Sequence, residues 1–318
     1  MTTIALELPA QAEAQWQVVE RCPACDADSA SYRVMIPDRH YMFGGEQVPL
    51  PDEGVAIVGC GCCGLAYKSA VPSPDFLARI FERHAAAKWT VPHDFSDEAK
   101  ALRRLTGDAG FDLLDVGAAG GALLQAWADQ GVQGRRSALD VVRYPGIEQH
   151  LAGEFIEGFL DAQTLNWSRQ PYDVATLFDV LEHLYRPQTA FENLRLLVRQ
   201  GGYVFIETGN IVNFWPQHFG ISQWWYVRLI EHHIFWSRDS LQKIAEAHGF
   251  EVVFFEERRH KSQRELLFGG MLAELMKVGL YCVTAGYYGA IARLCGRQGN
   301  QPWFPFAKDH FQACLRKK

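Results

Sequence analysis

One stretch of the chain decides its fold: Phe111-Asp112-Leu113-Leu114-Asp115-Val116-Gly117-Ala118-Ala119-Gly120-Gly121. A short apolar strand here runs into a turn of glycine and alanine, and helix-forming residues begin directly after it, at Ala122. This order of strand, small-residue turn and helix is typical of α/β domains that bind a dinucleotide or a nucleoside. The small residues let a ligand touch the backbone, and the helix behind the turn offers unpaired N–H groups.

Acidic residues stand at or near the ends of three apolar runs in this region. Asp115 comes directly before the glycines, and Asp140 ends the next apolar run about 20 residues further on, where an acid that hydrogen-bonds ribose hydroxyls is expected. Residues 172–184 form a third run, which contains Asp179-Val180-Leu181-Glu182-His183. Because ligands bind at the carboxyl ends of strands in open α/β sheets, these acids indicate a nucleoside site.

The order of these parts resembles the class I S-adenosylmethionine-dependent methyltransferases, most specifically at residues 115–121 and 179–183. The resemblance covers roughly residues 112–256. It implies an α/β, Rossmann-like domain with a mostly parallel seven-stranded sheet and helices on both faces. Ala119 departs from the family pattern, which has a glycine there, and its methyl group is expected to be tolerated if the backbone still turns.

The resemblance also implies a binding site for S-adenosylmethionine. It places an apolar residue on the adenine ring and an acid or a backbone group at the adenine amine, and Leu160 and Asp161, at the end of the third strand, are the candidates. The cofactor-binding candidates are Asp115, Gly117, Gly121, Asp140, Leu160, Asp161, Phe178 and Asp179. A solvated turn acid is the alternative for Asp161, and a cap of the next helix is the alternative for Glu182-His183.

Two Cys-x-x-Cys pairs lie near the N-terminus, Cys22-Pro23-Ala24-Cys25 and Cys60-Gly61-Cys62-Cys63. Pairs with this spacing, separated by a loop, are the ligand pattern of a structural four-cysteine zinc site. We assign Cys22, Cys25, Cys60 and Cys63 as the ligands and Cys62 as the spare thiol. The segment after them, Gly64-Leu65-Ala66-Tyr67, resembles that of methyltransferases with an N-terminal zinc-binding module, several of which act on nucleotide-linked sugars.

The chain is expected to divide into four parts. These are a zinc-binding module at 1–72, a helical connector at 73–110, the methyltransferase domain at 111–260 and 301–318, and a helical insertion at 261–300. Trp89 of the connector is a candidate for lining the cofactor site, with an ordinary core position as the alternative. The insertion is largely apolar, so packing on the sheet or against a second copy is its default interpretation, and contact with a membrane surface stays open.

The segment Glu231-His232-His233-Ile234-Phe235-Trp236-Ser237 resembles the Glu-His segment of zinc-containing sugar C-methyltransferases, in which the pair does proton chemistry. A hydroxyl or an acidic carbon needs a general base before it can take a methyl group. His232 is the first candidate because imidazole titrates near neutral pH, with Glu231 orienting it or accepting the proton. His183 is the alternative base, from the sheet side, and His233 is the third.

Residues 213–230, just before this segment, are rich in Trp, Phe and His and show little regular period. We expect a lid or substrate loop there rather than core. Glu207 and Asn210, at the end of the fifth strand, are expected to open toward the substrate side.

Composition excludes some classes of protein. A formal net charge of −6 over 318 residues argues against a general nucleic-acid binder, since such proteins cluster Lys and Arg. The start of the chain lacks the pattern of an export signal, and no uninterrupted apolar stretch reaches transmembrane length. Eight cysteines without an export signal favour reduced thiols and a cytoplasmic location.

These patterns predict an S-adenosylmethionine-dependent methyltransferase with a structural zinc and a small polar acceptor. The acceptor is expected to be a sugar, free or linked to a nucleotide or lipid, methylated on carbon or on oxygen. Two alternatives remain, a zinc-knuckle binding protein with an inactive methyltransferase-like domain and a nicotinamide-dependent oxidoreductase. Asp115, Gly117, Gly121 and Asp140 argue against the inactive form, and residues 179–183 fit the oxidoreductase poorly.

Overall fold

The N-terminal part of the protein is built from short antiparallel strands. A computed structural model describes residues 15–43, 46–80, 94–106, 110–259 and 308–318. The first strands are β1 (Trp16–Val18), β2 (Ala30–Met35), β3 (His40–Phe43), β4 (Glu46–Pro49), β5 (Ala56–Cys60), β6 (Ala66–Lys68) and β7 (Ala70–Pro72). β5 pairs with β2 and β6, β1 pairs with β7, and β3 pairs with β4. A helix, α1, follows at residues 74–80.

A seven-stranded sheet forms the larger part of the fold. Its elements and their neighbours are, in chain order, α2 (Ser96–Thr106), β8 (Leu113–Val116), α3 (Ala122–Asp129), β9 (Arg136–Asp140), β10 (Phe155–Glu157), β11 (Tyr172–Phe178), α4 (Pro187–Leu197), β12 (Val198–Gly209), α5 (Phe214–Phe219), β13 (Ile234–Phe235), α6 (Arg238–Ala247), β14 (Phe250–Arg258) and β15 (His310–Lys317). The strand order is β10-β9-β8-β11-β12-β15-β14. β15 runs antiparallel to both of its neighbours, and the other pairs are parallel.

The helices cover both faces of this sheet because its central strands are apolar on both sides. In β11, Val174 packs in one core cluster together with residues of α2 and α3. Its neighbour Ala175 points to the opposite face and packs in a second cluster with residues of α4 and α6. The predicted Rossmann-like, mostly parallel seven-stranded sheet with helices on both faces is confirmed.

The N-terminal strands join the rest of the chain through β13. β13 pairs antiparallel with β6, which gives a four-stranded sheet with the order β13-β6-β5-β2. Helix α6 begins directly after β13, and Ser237 and Ser240 form the reciprocal hydrogen bonds of a capping box at its first turn. The segment that follows β12 of the seven-stranded sheet therefore also contributes a strand, β13, to the four-stranded sheet.

Residues 213–230 differ from the sequence-based expectation of a lid. Trp215, Trp224, Tyr226 and Ile230 are all buried, in one core cluster with Ile36, Tyr41 and other residues of the N-terminal strands. The segment has no helical or strand period because it is built from short turns, including 3-10 helices at Ile221–Gln223 and Trp225–Arg228. Its large rings face the core from successive turns, so the expectation that this segment is a lid or substrate loop rather than core was wrong.

Some expectations fall outside the described residues. The helical insertion at 261–300 and Trp89 both lie there, and the four-part division of the chain stays a prediction. Within the described ranges, none of the helices is long and apolar enough to cross a membrane.

Candidate functional site

The turn after β8 is shaped by left-handed backbone. Gly117 has φ 72° and Gly121 has φ 80°. A Cβ at Gly117 would stand 2.6 Å from Cγ2 of Val180, closer than packed atoms allow, so only glycine fits there. Ala119 also has positive φ, at 44°, a conformation that costs an L-residue roughly 1–2 kcal/mol. The backbone therefore turns as the methyltransferase pattern requires, although the middle glycine of that pattern is alanine.

Asp140, at the end of β9, holds this turn. Its Oδ2 accepts the N–H of Ala119 at 2.8 Å, and its Oδ1 accepts the N–H of Val142 at 3.1 Å. Burial raises the pKa of Asp140, and the backbone N–H groups oppose that change. The predicted ribose-binding acid thus lies beside the glycine turn.

Asp115 lies in β8, beside the same turn but inside the sheet. Oγ1 of Thr176 donates to its Oδ1 at 2.7 Å. Burial raises the pKa of Asp115 to about 7, and the nearby charge of Asp140 adds to the change, while the Thr176 hydrogen bond opposes it. A buried acid near its pKa at neutral pH favours a bound cationic group beside it.

These residues fit S-adenosylmethionine on the evidence of their own geometry. The turn at Gly117 and Gly121 leaves backbone without side chains at the N-terminus of α3, and Asp140 and Asp115 offer carboxylates on either side. A nucleoside with a positively charged sulfur needs this combination of bare backbone and acids.

Phe178 and Asp179 lie at the carboxyl end of β11. The ring of Phe178 stacks on Phe95, with ring centres 6.0 Å apart. Asp179 adopts positive φ, 54°, and its side chain is 49% exposed, so the backbone turns sharply where the strand ends. The carboxylate of Asp179 is therefore accessible at the end of β11.

Leu160 and Asp161 are buried after β10. Oδ2 of Asp161 accepts the backbone N–H groups of Tyr185 and Arg186, each at 2.7 Å, just before α4 begins. Asn193 of α4 donates to the carbonyl of Leu160 at 2.7 Å. The observed hydrogen bonds of this turn therefore fix α4 to the sheet, and contact with an adenine ring stays a prediction.

A cluster of imidazoles and carboxylates lies beyond the ends of β11 and β12. The rings of His183 and His232 meet edge to face, with centres 5.0 Å apart, although the residues come from distant parts of the sequence. Glu182, fully buried between them and the sheet, has its Oε1 4.0 Å from Nε2 of His183. The two imidazoles that the sequence offered as alternative bases are neighbours in one site.

The tautomer of His232 follows from its hydrogen bond. Its Nδ1 lies 3.1 Å from the carbonyl oxygen of Tyr226, which can only accept, so Nδ1 carries the hydrogen. Nε2 then holds the lone pair and is the nitrogen that can take a proton. The ring of Tyr226 also packs on the ring of His232, with centres 3.9 Å apart.

Tyr226 is a residue of this site that sequence reasoning missed. Its hydroxyl donates to Oε1 of Glu182 at 2.5 Å and accepts the N–H of Gly209 at 3.0 Å. Oγ1 of Thr208 donates to the other oxygen of Glu182 at 2.8 Å. Burial, first, and the charge of Asp179, second, raise the pKa of Glu182 to about 8. The aromatic run that contains Tyr226 was the signal, but it indicated a lid or substrate loop without pointing to Tyr226 itself.

His310 and Asp309 complete the cluster from β15 and the residue before it. Nδ1 of His310 lies 3.1 Å from Oδ1 of Asp309, and Nε2 lies 4.0 Å from Oδ1 of Asp179. Burial would lower the pKa of His310, but the hydrogen bond and charge of Asp309 outweigh it and raise the pKa to about 9. Their place in the last strand, far along the chain, gave the sequence no sign that they join this site.

Glu207 lies near the end of β12, and Asn210 directly follows that strand. Glu207 accepts a short hydrogen bond from Gln312, and burial, with the charge of Asp179, raises its pKa to about 7. Asn210 is buried, and its side chain donates to Glu257 at 3.3 Å. Glu207 contacts β15 and Asn210 contacts the edge strand β14, and an opening toward substrate stays a prediction.

Glu231 and His233 flank His232 and are both buried. Glu231 acts electrostatically on Lys68, whose pKa it raises. His233 packs against the ring of Tyr185, with centres 4.2 Å apart, and burial holds its pKa well below the usual value. The group that orients His232 through Nδ1 is the Tyr226 carbonyl, so a role for Glu231 in proton chemistry stays a prediction.

The four assigned cysteines converge near the N-terminus. Their sulfur atoms all lie within 4.8 Å of one another, with Cys22 to Cys63 and Cys25 to Cys60 each 3.6 Å apart. Tetrahedral zinc with four thiolates places sulfurs roughly 3.8 Å apart, so the donor set fits that ion. The hydrogen bond from Cys22 lowers the pKa of Cys63 to about 5.

Each cysteine pair is followed by a residue with positive φ, which folds the backbone around the sulfurs. These are Asp26, with φ 57°, and Gly64, with φ 80°. The N–H groups of Cys62 and Cys63 point toward the sulfur of Cys60, at 3.4 and 3.5 Å. Both pairs therefore have the shape of a metal-binding knuckle.

The second group with ligand atoms close enough for a metal is Glu182, His183 and His232, among the residues that the structure describes. Both oxygens of Glu182 already accept hydrogen bonds, from Tyr226 and Thr208. The hydrogen-bond pattern therefore suits proton transfer, and we assign no metal there.

The order of the seven strands, the glycine turn and the acids around it define a Rossmann-like methyltransferase fold. Residues 74–254, more than half of the chain, match the model of the methyltransferase domain family. The chain belongs to this family.

Curated relatives include ubiquinone biosynthesis O-methyltransferases. That of Shewanella halifaxensis is 31% identical over 154 residues, which cover 43% of this chain and 63% of that protein. That of Vibrio atlanticus is 32% identical over 143 residues, which cover 41% of this chain and 60% of that protein. The chain thus spans about three fifths of the length of the curated relatives it matches.

Solved structures with a similar fold include other methyltransferases. The 1,6-didemethyltoxoflavin-N1-methyltransferase of Burkholderia thailandensis, with bound 1,6-didemethyltoxoflavin and S-adenosylhomocysteine, is 15% identical, with a TM-score of 0.47, and the match covers 84% of this chain and 97% of that one. The N-methyltransferase NodS of Bradyrhizobium japonicum is 12% identical, with a TM-score of 0.40, and the match covers 70% and 93%.

Proposed function

We propose that the protein transfers a methyl group from S-adenosylmethionine to a small polar acceptor. The observation that carries this proposal is that His232 and His183 lie together at the sheet edge that also bears the glycine turn and Asp140. A family that transfers methyl groups needs a cofactor cradle and a means of activating the acceptor at one edge of the sheet. The cofactor cradle and the activating imidazoles are each supported by residues that are distant in sequence and close in the fold.

The cofactor supplies an electrophilic methyl group on a sulfonium when it is bound. We assign Gly117 and Gly121 to backbone contact with it, Asp140 to the ribose hydroxyls, and Asp115 and Asp179 to the region of its positive charge. Leu160, Asp161 and Phe178 are assigned to the adenine end. Methyl transfer is an in-line displacement, so the task of these residues is alignment rather than activation.

The acceptor is activated by proton removal. His232 presents Nε2 as the base because Nδ1 donates to the Tyr226 carbonyl. The ring of His183 meets the ring of His232 edge to face. The proton leaves His232 through this second imidazole. Glu231 is the carboxylate that stabilises the positive charge of the His232 and His183 pair.

The acceptor class that we propose is a sugar, free or carried on a nucleotide or lipid, methylated on carbon next to a carbonyl or on a hydroxyl. The likeness of residues 231–237 to sugar C-methyltransferases supports carbon, and the names of the curated relatives support oxygen. The imidazoles of His183 and His232, which meet edge to face, can accept a proton from either acceptor.

We further propose that Cys22, Cys25, Cys60 and Cys63 bind one structural zinc ion. The site has four thiol ligands and no open position, so it stabilises the fold of the N-terminal module and takes no part in methyl transfer. Free thiols at these positions fit a reducing compartment, and we propose the cytoplasm as the place of action.

A screen with methyl-labelled S-adenosylmethionine tests the proposed acceptor. Sugar nucleotides, with and without a keto group, and a ubiquinone precursor are incubated with the protein, and label transfer is measured. We expect transfer to a sugar, and the methylated atom read by mass spectrometry and NMR then separates carbon from oxygen. Transfer only to the ubiquinone precursor would contradict the sugar assignment and leave the methyltransferase assignment standing.

A further inference from the structure

The turn that carries His232 is held by the N-terminal strands. Nε of Arg228 lies 3.4 Å from Oδ2 of the buried Asp38. Directly after the turn, β13 pairs with β6. The proposed base therefore sits in a segment that contacts the N-terminal strands on both sides of it.

Lys68, the last residue of β6, contacts both ends of this turn. Its Nζ donates to the carbonyl of Leu229 at 2.6 Å, and its backbone N–H donates to the carbonyl of His233 at 2.9 Å. The Leu229 carbonyl also accepts the N–H of His232 at 3.2 Å. One residue thus closes the turn around Glu231 and His232 from the outside.

Lysine is an unexpected residue at this position because its side chain is fully buried. Nζ lies 4.3 Å from the centre of the Tyr41 ring, which offers a favourable face to a cation. Burial lowers the pKa of Lys68 to about 7, and the charge of Glu231 opposes that change. An apolar side chain would fill the same space at less cost in desolvation but would leave the Leu229 carbonyl without this donor.

The cysteine hairpin sets the place of Lys68. The N–H of Cys60 donates to the carbonyl of Leu65 at 2.8 Å, which closes the turn between β5 and β6. The resulting register places Lys68 opposite Ile57. A change in the hairpin would shift this register and move Lys68 along the turn that it holds.

We propose that Lys68 is a positioning residue for the methyl-transfer reaction: it holds the 229–233 turn so that Nε2 of His232 faces the acceptor. This gives the N-terminal module a part in catalysis at a distance from its cysteines. The inference rests on the proposed role of His232 as base, and its structural half, the fixing of the turn, is testable without turnover.

The test uses the full chain with Lys68→Met, which removes the donor and the charge at similar volume. Lys243→Met is the matched control, since Lys243 also contacts the N-terminal module, through the Cys62 carbonyl at 3.4 Å, but not the turn. Amide hydrogen exchange is measured at His232 and His233, together with kcat, the KM of the acceptor and the Kd of S-adenosylhomocysteine.

For Lys68→Met we expect exchange at the two amides to rise at least tenfold and kcat to fall at least tenfold, with the Kd unchanged within twofold. The control should match the unaltered chain in all of these. Unchanged exchange in folded Lys68→Met would overturn the proposal. If that variant does not fold, Arg228→Gln is tested by the same readouts, because it removes a second contact between the N-terminal part and the segment that leads into the turn. Unchanged exchange in that variant would then overturn the proposal. If exchange rises in Lys68→Met but the unaltered chain shows no turnover, the proposed function is contradicted instead.

Discussion

At the residue scale, the proposed removal of a proton from the acceptor depends on which nitrogen of His232 carries a hydrogen. The Tyr226 carbonyl fixes this hydrogen on Nδ1, and the Tyr226 ring holds the imidazole plane. Tyr226 in turn is fixed by its hydroxyl, which bridges Glu182 and Gly209. A side chain at Gly209 would collide with the Tyr226 ring, at 2.4 Å, so the glycine is required for this arrangement.

Replacing His232 by Gln removes the proposed base and keeps a polar side chain of similar length. We expect kcat to fall by about 100-fold or more, the usual contribution of a positioned base. Affinity for S-adenosylhomocysteine should change less than twofold. Steady-state kinetics and titration calorimetry check both, with His218→Gln, an exposed histidine of α5, as control. Full turnover in His232→Gln would move the base to another residue.

The sequence predicted the residues of the glycine turn better than those of the proposed base site. Gly117, Gly121 and Asp140 belong to one local motif, so their neighbourhood follows from the order of strand, turn and strand. Tyr226 and His310 reach the His232 cluster through long-range packing and the last strand, which a local pattern does not report.

At the scale of elements, the carboxyl ends of β11 and β12 bring several buried acids together. Burial, together with the charge of Asp179, raises the pKa of Glu182 to about 8 and that of Glu207 to about 7. In β8, burial and the charge of Asp140 raise the pKa of Asp115 to about 7. A carboxyl with a raised pKa holds its proton in the folded chain at pH values where the unfolded chain has lost it.

Folding stability should therefore fall as pH rises from about 5 to about 8, because these carboxyls bind more protons in the folded chain than in the unfolded chain. His310, whose pKa is raised to about 9, acts in the same direction above its ordinary value. His233 and Lys68, whose pKa values burial lowers, oppose part of this fall. Glu182→Gln should give a shallower fall, by up to about 1.4 kcal/mol per pH unit. Urea unfolding across the window measures this, with Glu256→Gln, at an exposed position of β14, as control. Equal slopes in all three proteins would contradict the burial of a protonated Glu182.

The β5–β6 hairpin is the other element on which the account depends. We expect metal analysis to give one zinc per chain, and Cys60→Ser to lower both the zinc content and the unfolding temperature, because it removes one of four ligands. Cys62→Ser is the control, since Cys62 is exposed and lies outside the cluster. Metal-free protein of undiminished stability would contradict the zinc assignment.

The fold class followed from the alternation of apolar runs and helices, together with the glycine turn. The sharing of β13 between the two parts of the chain did not, because a two-residue strand carries no pattern of its own. The prediction for residues 213–230 was wrong for a related reason. Aromatic residues without a regular period also occur where successive short turns pack against a second sheet.

At the scale of the whole molecule, two sheets meet around the segment that follows β12. The large sheet contributes the cofactor cradle and Glu182, and the N-terminal sheet holds the turn of His232 from the other side. The family match covers 74–254, whereas Lys68, which precedes that range, contacts the turn that carries the proposed base.

The most direct test of the central claim is calorimetric titration of the full chain with S-adenosylhomocysteine. We predict binding of one molecule per chain and a Kd at least about tenfold weaker in Asp140→Ala, the loss expected for a hydrogen bond to a charged group. Asp129→Ala, at the exposed end of α3, should bind like the unaltered chain. No binding by the unaltered chain, or equal affinity in Asp140→Ala, would contradict the account.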